Sequence, residues 1–317
     1  MSNPALWGRV FLIAAAPIGA RPLKALTRMS KPTSLTRFLP LRWLGILPFF
    51  LFAFLFLILP TLYIVVGAFR TPQGDFTLDN ILGLNTPAII NAYWLSIRIS
   101  FFSALIGCAV GFAMAAAITV GGIGKGLRNP LMTFSGVASN FAGVPLAFAF
   151  IATVGPAGII TLYLRTEFGI NLRAYGWNLL SAWGLIVTYL FFQIPLMILI
   201  ITPALDGLKR EWREAAAILG ATGPQYWRMV AFPILFPSIL GTMALLFANA
   251  FGAVATAIAL TGPSLNIAPI LLYAQIRGDV LGSPNLGYAL AFGMIVITGL
   301  ANAVYIWLRA RSERWLQ

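Results

Sequence analysis

Six long apolar stretches limit how this chain can fold. They lie at about 43–69, 92–120, 132–160, 181–204, 238–262 and 288–309, and crossing a bilayer takes roughly 20 apolar residues. Composition agrees, because 60% of the residues are hydrophobic and only 9% are charged. Since hydrocarbon offers the backbone no hydrogen-bond partner, each stretch is predicted to be a helix. The sequence therefore predicts an all-α integral membrane protein with six spans.

Basic residues are distributed unevenly between the segments that connect these spans. If the N-terminus lies inside, 16 of the 21 Lys and Arg residues fall in inner segments and four in outer segments. Arg98 alone lies within a span. Because basic segments are retained in the cytoplasm, this distribution predicts a multi-pass protein with both termini cytoplasmic.

The connection between the fourth and fifth spans carries a spaced motif. Glu214-Ala215-Ala216 is followed by three residues, then Gly220, then nine residues, then Val230-Ala231-Phe232-Pro233. This resembles the EAA loop of inner-membrane permease subunits of binding-protein-dependent ABC importers. Their pattern is Glu-Ala-Ala, three residues, Gly, nine residues and Ile-x-Leu-Pro, so Val and Phe replace Ile and Leu here.

That resemblance implies a six-helix ABC importer permease core with a cytoplasmic coupling helix, in a bacterial inner membrane. The implied partners are ABC ATPase subunits that bind ATP-Mg, a periplasmic solute-binding protein and a second permease subunit, expected to be a related heterodimer partner. The residues implied to couple the permease to the ATPase are Arg213, Glu214, Ala215, Ala216, Gly220 and Pro233. This chain is expected to bind no cofactor itself, since it has no G-x-x-x-x-G-K-[ST] motif.

The coupling loop, 206–237, can also be read from its residues. Asp206 is predicted to cap a helix that begins near Gly207. Its apolar face would comprise Leu208, Trp212, Ala215 and Leu219, and Arg210 and Glu214 are spaced for an ion pair. Gly220 and Gly223 allow a sharp turn, after which Pro224 suits the start of a second short helix through Arg228.

The resemblance also predicts the domain organisation. A basic cytoplasmic leader, 1–42, precedes a permease domain, 43–310, and a cytoplasmic tail, 311–317. Anionic membrane lipid is the expected partner of the leader. Nucleic acid is not expected, because the net charge of +13 is spread along the inner face without a stacking platform.

Three short stretches indicate which subfamily of these permeases the chain resembles most. The segments 76–80, 143–146 and 309–315 look most like the polyamine, opine and phosphonate permeases. A polyamine such as spermidine or putrescine is therefore the first substrate predicted, and an opine, a phosphonate or an inorganic anion is the alternative.

Polar residues inside the spans are candidates for the translocation path. Arg98, the one ionisable residue in a span, either snorkels or is paired structurally, or it faces the path. Asn140, Gln193 and Asn249 either line the path or hold helices together by hydrogen bonds. No predicted span carries a carboxylate, although a polycation site would be expected to contain one.

The sequence leaves two other classes of protein open. An ion-coupled secondary transporter commonly has ionisable residues at the midplane and inverted repeats, and neither is evident here. A membrane-embedded enzyme is disfavoured, because the chain has no histidine and no cluster of nucleophile and base. The single cysteine, Cys108, falls inside the second span and allows no disulfide.

Overall fold

The computed structural model describes residues 45–121, 124–277 and 285–313. Throughout these ranges the regular elements are helices, and one isolated antiparallel bridge joins Arg70 to Phe76. The predicted leader, 1–42, and the last residues of the tail lie outside the described residues. The chain divides into two compact units, 1–59 and 60–317.

The described part of the first unit consists of a helix, Leu47–Ala53, and a π-helical turn, Phe54–Ile58. The same helical segment, α1, continues to Ala68. In the second unit the helices up to the coupling loop are α2 (Asp79–Leu82), α3 (Pro87–Thr119), α4 (Lys125–Asn140), α5 (Val144–Val154), α6 (Ile159–Glu167) and α7 (Ala182–Asp206).

The coupling loop begins the second half of this unit. Its helix is α8 (Arg210–Ile218), and it is followed by α9 (Gly223–Phe251), α10 (Val254–Thr261), α11 (Ala268–Arg277) and α12 (Leu286–Glu313).

Six helical segments are long and apolar enough to cross a membrane, which confirms the predicted number. They are Leu47–Ala68, Pro87–Thr119, Val144–Glu167, Ala182–Asp206, Gly223–Phe251 and Leu286–Arg311. The pair α10 and α11 is bent by 83° and passes the same test of length and composition. The stretch between the last two predicted spans therefore contains a helix, Ala268–Arg277.

Two of the six predicted spans had the wrong bounds. The stretch 132–160 is not one helix, because it is interrupted between α4 and α5. The stretch 238–262 is interrupted between α9 and α10. Hydropathy does not register a break whose residues are themselves apolar. Glycine lies at both interruptions, as Gly143 and Gly252.

The centre of the second unit is the packing of α3 against α7, flanked by α9. Small side chains on α3 allow the close approach. A Cβ added at Gly111 would lie 2.6 Å from Met197 Cβ, and one at Gly107 would lie 3.0 Å from Gln193 Cβ. Cys108 belongs to the same buried face of α3, where it serves as a small packing residue.

Candidate functional site

Two helix breaks face the same space in the bundle. The first comprises Phe141, Ala142 and Gly143, between α4 and α5, and Gly143 has a φ of +76° that favours glycine. The second comprises Gly252 and Ala253, between α9 and α10. At each break a helix ends and another begins, so backbone N–H and C=O groups are released from the helical ladder.

Hydrogen bonds connect the breaks to each other and to α7. The Gly143 N–H donates to Thr256 Oγ1 at 2.7 Å. The hydroxyl of Tyr189, which is buried on α7, donates to the Ala253 carbonyl at 3.2 Å. The irregular backbone is therefore held in one defined arrangement by two side chains, of Thr256 and Tyr189, that were not predicted to be site residues.

A cavity of about 570 Å³, here called the break cavity, opens at these two breaks. Asn140 and Asn249, which were predicted as path candidates on separate spans, both line it. The Asn140 side chain donates to the Gly136 carbonyl at 2.9 Å. None of its described lining residues is charged; they are Ser139, Asn140, Ala142, Gly143, Phe192, Ala248, Asn249, Gly252, Ala253, Val254, Ala255 and Thr256.

The other two path candidates lie elsewhere. Gln193 is fully buried between α7 and α3, where its Nε2 donates to Ser103 Oγ at 3.1 Å. Arg98 lies on the exposed side of α3, near the exposed aromatic residues Trp94, Phe101 and Phe102. Neither residue lines the break cavity. Of the two roles left open for Gln193, its surroundings are those of a helix-packing residue.

The coupling loop forms a short helix that ends at a sharp turn. In α8, Arg210 Nε donates to Glu214 Oε1 at 2.8 Å, as their spacing predicts. Gly220 has a φ of +79°. Its N–H donates to the Ala217 carbonyl, and the next N–H, of Ala221, donates to the Ala216 carbonyl. These two bonds form a Schellman motif, in which glycine is favoured at the left-handed position.

The segment after the turn begins with a reciprocal cap. The Thr222 side chain and the side chain of Gln225 form a capping box, and Pro224 lies in the first turn. The prediction that this second helix is short was wrong, because α9 continues to Phe251 through a π-helical turn at 227–231. Pro233 has no N–H to donate to the carbonyl four residues earlier, which favours such a widened turn.

The tip of the coupling loop is exposed and partly apolar. Ile218 and Leu219 are each 87% exposed, and Arg213, Glu214 and Ala215 are exposed beside them. The predicted apolar face was therefore wrong at its C-terminal end, since Leu219 does not pack on the body of the protein. A small surface with exposed aliphatic side chains and charges around them is typical of a docking surface.

Asp206 does not cap α8, which is a second correction. It is the last residue of α7, and its carboxylate accepts a hydrogen bond from the Arg128 guanidinium of α4 at 2.5 Å. The residue before α8 is Lys209, whose backbone is extended. The coupling loop thus begins at an ion pair that joins α4 to α7.

The six spans, the interrupted helices around a polar cavity and the exposed loop define a multi-pass membrane transport subunit. Residues 109–317 match the family described as binding-protein-dependent transport system inner membrane component. The chain belongs to this family and is a permease of a binding-protein-dependent ABC importer. The family is a transport component and not a known enzyme family.

Curated relatives have different substrates in their names. The probable sulfate transport system permease protein cysT of Chlorella vulgaris is 24% identical over 226 residues, covering 69% of this chain and 81% of the relative. The spermidine/putrescine transport system permease protein PotC of Escherichia coli K12 is 23% identical, covering 77% and 85%. The putative ferric transport system permease protein FbpB 1 of Haemophilus influenzae is 24% identical, covering 83% and 42%.

Solved structures support the same fold. A bacterial ABC transporter that imports the acidic polysaccharide alginate has a chain that aligns with a TM-score of 0.64 and 17% identity, covering 86% of this chain and 95% of that one. The alginate transporter has also been solved with its alginate-bound periplasmic protein; there the TM-score is 0.64 and the identity 17%, covering 87% of this chain and 95% of that one. At this identity the alignment establishes the fold of the subunit.

Proposed function

We propose that this chain forms half of the path of an ATP-driven importer and that residues 206–237 couple it to separate ATPase subunits. The observation that carries the coupling assignment is the Schellman turn at Gly220, which presents the exposed Ile218 and Leu219 beside Glu214. In this mechanism a loaded binding protein docks outside, the two ATPases close inside, and α8 transmits that closure to α9.

The continuity of the structure supports transmission through α9. The turn leads into α9 without another loop, and α9 continues to the break at Gly252 that opens on the break cavity. A displacement of α8 would therefore be carried along one helix to the cavity. We assign the break cavity to the translocation path, with Asn140 and Asn249 as its amide groups. Arg98 is proposed to snorkel to the headgroups and not to face the path.

The proposed topology places the coupling loop in the cytoplasm and both termini inside an inner membrane. The permease domain is 43–310, with the basic leader and the tail on the same side. The second half of the path is proposed to be a related permease subunit, and ATP-Mg binds in the partner ATPases. Most Lys and Arg residues then face the cytoplasm, as the distribution of charge favours.

The substrate is proposed to be a small polar solute, and two chemical classes are supported differently. Similarity to PotC supports a polyamine. The uncharged lining of the break cavity favours a solute that needs no carboxylate partner, such as an opine, a phosphonate or an inorganic anion like sulfate. The same lining disfavours an ion-coupled secondary transporter, which would be expected to have ionisable groups at this depth.

The test is ATPase activity of the reconstituted permease and ATPase complex in nanodiscs, with its binding protein first empty and then loaded. The panel is spermidine, putrescine, an opine, a phosphonate and sulfate. Stimulation by one loaded form supports the importer and identifies the class of substrate. Uptake driven by an ion gradient without an ATPase would contradict the proposal.

A variant pair tests the coupling residues in the same preparation. Glu214→Gln is expected to remove most of the stimulation, whereas Glu211→Gln, which is also exposed on the same helix, is expected to retain it. Equal stimulation in both variants would show that Glu214 is not a coupling residue.

A further inference from the structure

A second polar cavity lies at the opposite end of the bundle from the coupling loop. It has a volume of about 200 Å³ and is enclosed by α6, the end of α5 and the segment 171–179. Its lining includes two arginines and two asparagines: Arg165, Arg173, Asn171 and Asn178. It is called the outer pocket below.

The position of the outer pocket follows from α7. The pocket is lined by residues just before Ala182, where α7 begins, whereas the Arg128–Asp206 pair marks the end of that helix. A helix of 25 residues is about 37 Å long at 1.5 Å per residue. The pocket and the coupling loop are therefore on opposite faces of the membrane, and the pocket is periplasmic if the coupling loop is cytoplasmic.

The walls of the pocket are held by specific hydrogen bonds. Trp177 Nε1 donates to the Val154 carbonyl at 3.2 Å, which joins the segment to α5. Asn171 Oδ1 accepts from the Arg173 N–H at 3.1 Å, and Asn178 Oδ1 accepts from the Leu180 N–H at 3.0 Å. Leu179 is buried in the main core. The arginine side chains therefore project from an ordered frame.

The two arginines of the pocket are available to a ligand. Within the described chain, neither Arg165 nor Arg173 has a carboxylate partner. Thr161 Oγ1 is buried in the pocket wall and makes no hydrogen bond to any described group. Glu167 lies on the same helix but is not a lining residue. The two exposed guanidinium groups form a site suited to an oxyanion, and a guanidinium binds a carboxylate through paired hydrogen bonds.

We infer that the outer pocket receives an acidic side chain of the docked solute-binding protein. This inference rests on the proposed function, because it requires that the binding protein docks on this face. The positive charge of the pocket supplies the complementarity, and its volume admits one Asp or Glu side chain and excludes a folded segment. Charge pairs of this kind steer association and set its dependence on salt.

The experiment measures the dissociation constant of the loaded binding protein for the complete complex in nanodiscs of uncharged lipid, at low and at high salt. In the Arg165→Gln, Arg173→Gln double variant the dissociation constant is expected to rise at least about tenfold at low salt. Its salt dependence is expected to decrease, and the basal ATPase rate without binding protein is expected to remain unchanged. Arg70→Gln, an exposed outer arginine that does not line the pocket, is the matched control.

Replacing the acidic residues of the binding protein one at a time identifies the one that enters the outer pocket. One Asp→Asn or Glu→Gln change is expected to weaken binding to the native complex and to have no further effect on the double variant. An unchanged dissociation constant in the double variant overturns the inference, and the proposed function stands if the native complex is still stimulated. If the double variant changes only the response to added sulfate, or only the response to anionic lipid, the ligand is a free ion or a headgroup and docking through this pocket is excluded.

Discussion

The backbone nitrogen of Gly143 and the hydroxyl oxygen of Thr256, 113 residues apart in sequence, are 2.7 Å apart and join the two helix breaks. Thr256 lies in the first turn of α10, and Gly143 immediately precedes α5. This bond fixes the start of α5 against the start of α10. The separation of the breaks, and hence the shape of the break cavity, depends on it.

Thr256→Val is expected to destabilise the protein and to slow uptake. The substitution retains the side-chain volume but leaves the half-buried Gly143 N–H without its partner, which should cost less than the roughly 1–3 kcal/mol of a fully buried donor. Thr256→Ser restores the hydroxyl and should recover most of the loss. The measurements are the thermal unfolding midpoint and the rate of solute uptake into proteoliposomes.

Thr261→Val is the control for this variant. Its hydroxyl donates to the Ala257 carbonyl within the same helix, so removing it should have a much smaller effect. If Thr256→Val and Thr261→Val behave alike, the bond between the breaks has no special role.

Gly220→Ala is expected to uncouple the ATPases with little change in global stability. A Cβ at Gly220 would meet nothing within 4 Å, so the cost comes from its φ of +79°, about 1–2 kcal/mol for an L-residue in the left-handed region. The turn would relax and move α8. Gly220→Asn should be milder, because asparagine tolerates this conformation.

The matched control for the turn is Gly223→Ala. Gly223 also has open space around it, but it begins α9 with no positive φ. Binding-protein-stimulated ATPase activity should fall in Gly220→Ala and persist in Gly223→Ala. Loss in both variants would indicate a requirement for small residues and not for the left-handed turn.

Gln193→Met tests whether the buried glutamine packs helices or contacts solute. Within the described chain, Gln193 Oε1 has no hydrogen-bond partner, and the side chain contacts α3 near Gly107. Methionine has a similar volume but loses the hydrogen bond to Ser103, so stability should fall by about 0.5–1.5 kcal/mol and the choice of substrate should be unchanged. Asn140→Leu and Asn249→Leu, in the break cavity, should reduce uptake. A substrate preference altered by Gln193→Met alone would place the glutamine on the path.

The number of spans and the coupling turn could be predicted because each depends on local information. Apolar length determines whether a segment can cross a membrane, and the turn at Gly220 follows from one glycine after a run of helix-forming residues. The breaks at Gly143 and Gly252 could not be predicted in this way. Their irregular backbone is stabilised by Thr256 and Tyr189, and only the tertiary structure brings these residues to the breaks.

The role of Asp206 was mispredicted for a related reason. A carboxylate near the start of a helix is a good cap, and the sequence offers α8 just downstream. Tertiary structure provides the Arg128 guanidinium instead, and Asp206 is the last residue of α7 and not the residue before α8. The polar residues inside the spans were hard to assign for the same reason. Sequence alone did not distinguish Asn140, which lines the break cavity, from Gln193, which packs between helices.

The Arg128–Asp206 pair provides a last test, because each charge lies at the unfavourable end of its helix. Arg128 is in the fourth position of α4, near the positive N-terminal end, and Asp206 ends α7 at the negative C-terminal end. Asp206→Asn should therefore destabilise only slightly, by about 0–1 kcal/mol for a partly exposed pair, since it also removes a repulsion with the helix end.

The exchange Arg128→Asp with Asp206→Arg keeps the attraction and places both charges favourably. The double variant should be at least as stable as the native protein in thermal unfolding at low salt, with the difference shrinking at high salt. A double variant clearly less stable than Asp206→Asn would mean that the native geometry, and not the charge pairing, holds α4 to α7 at the start of the coupling loop.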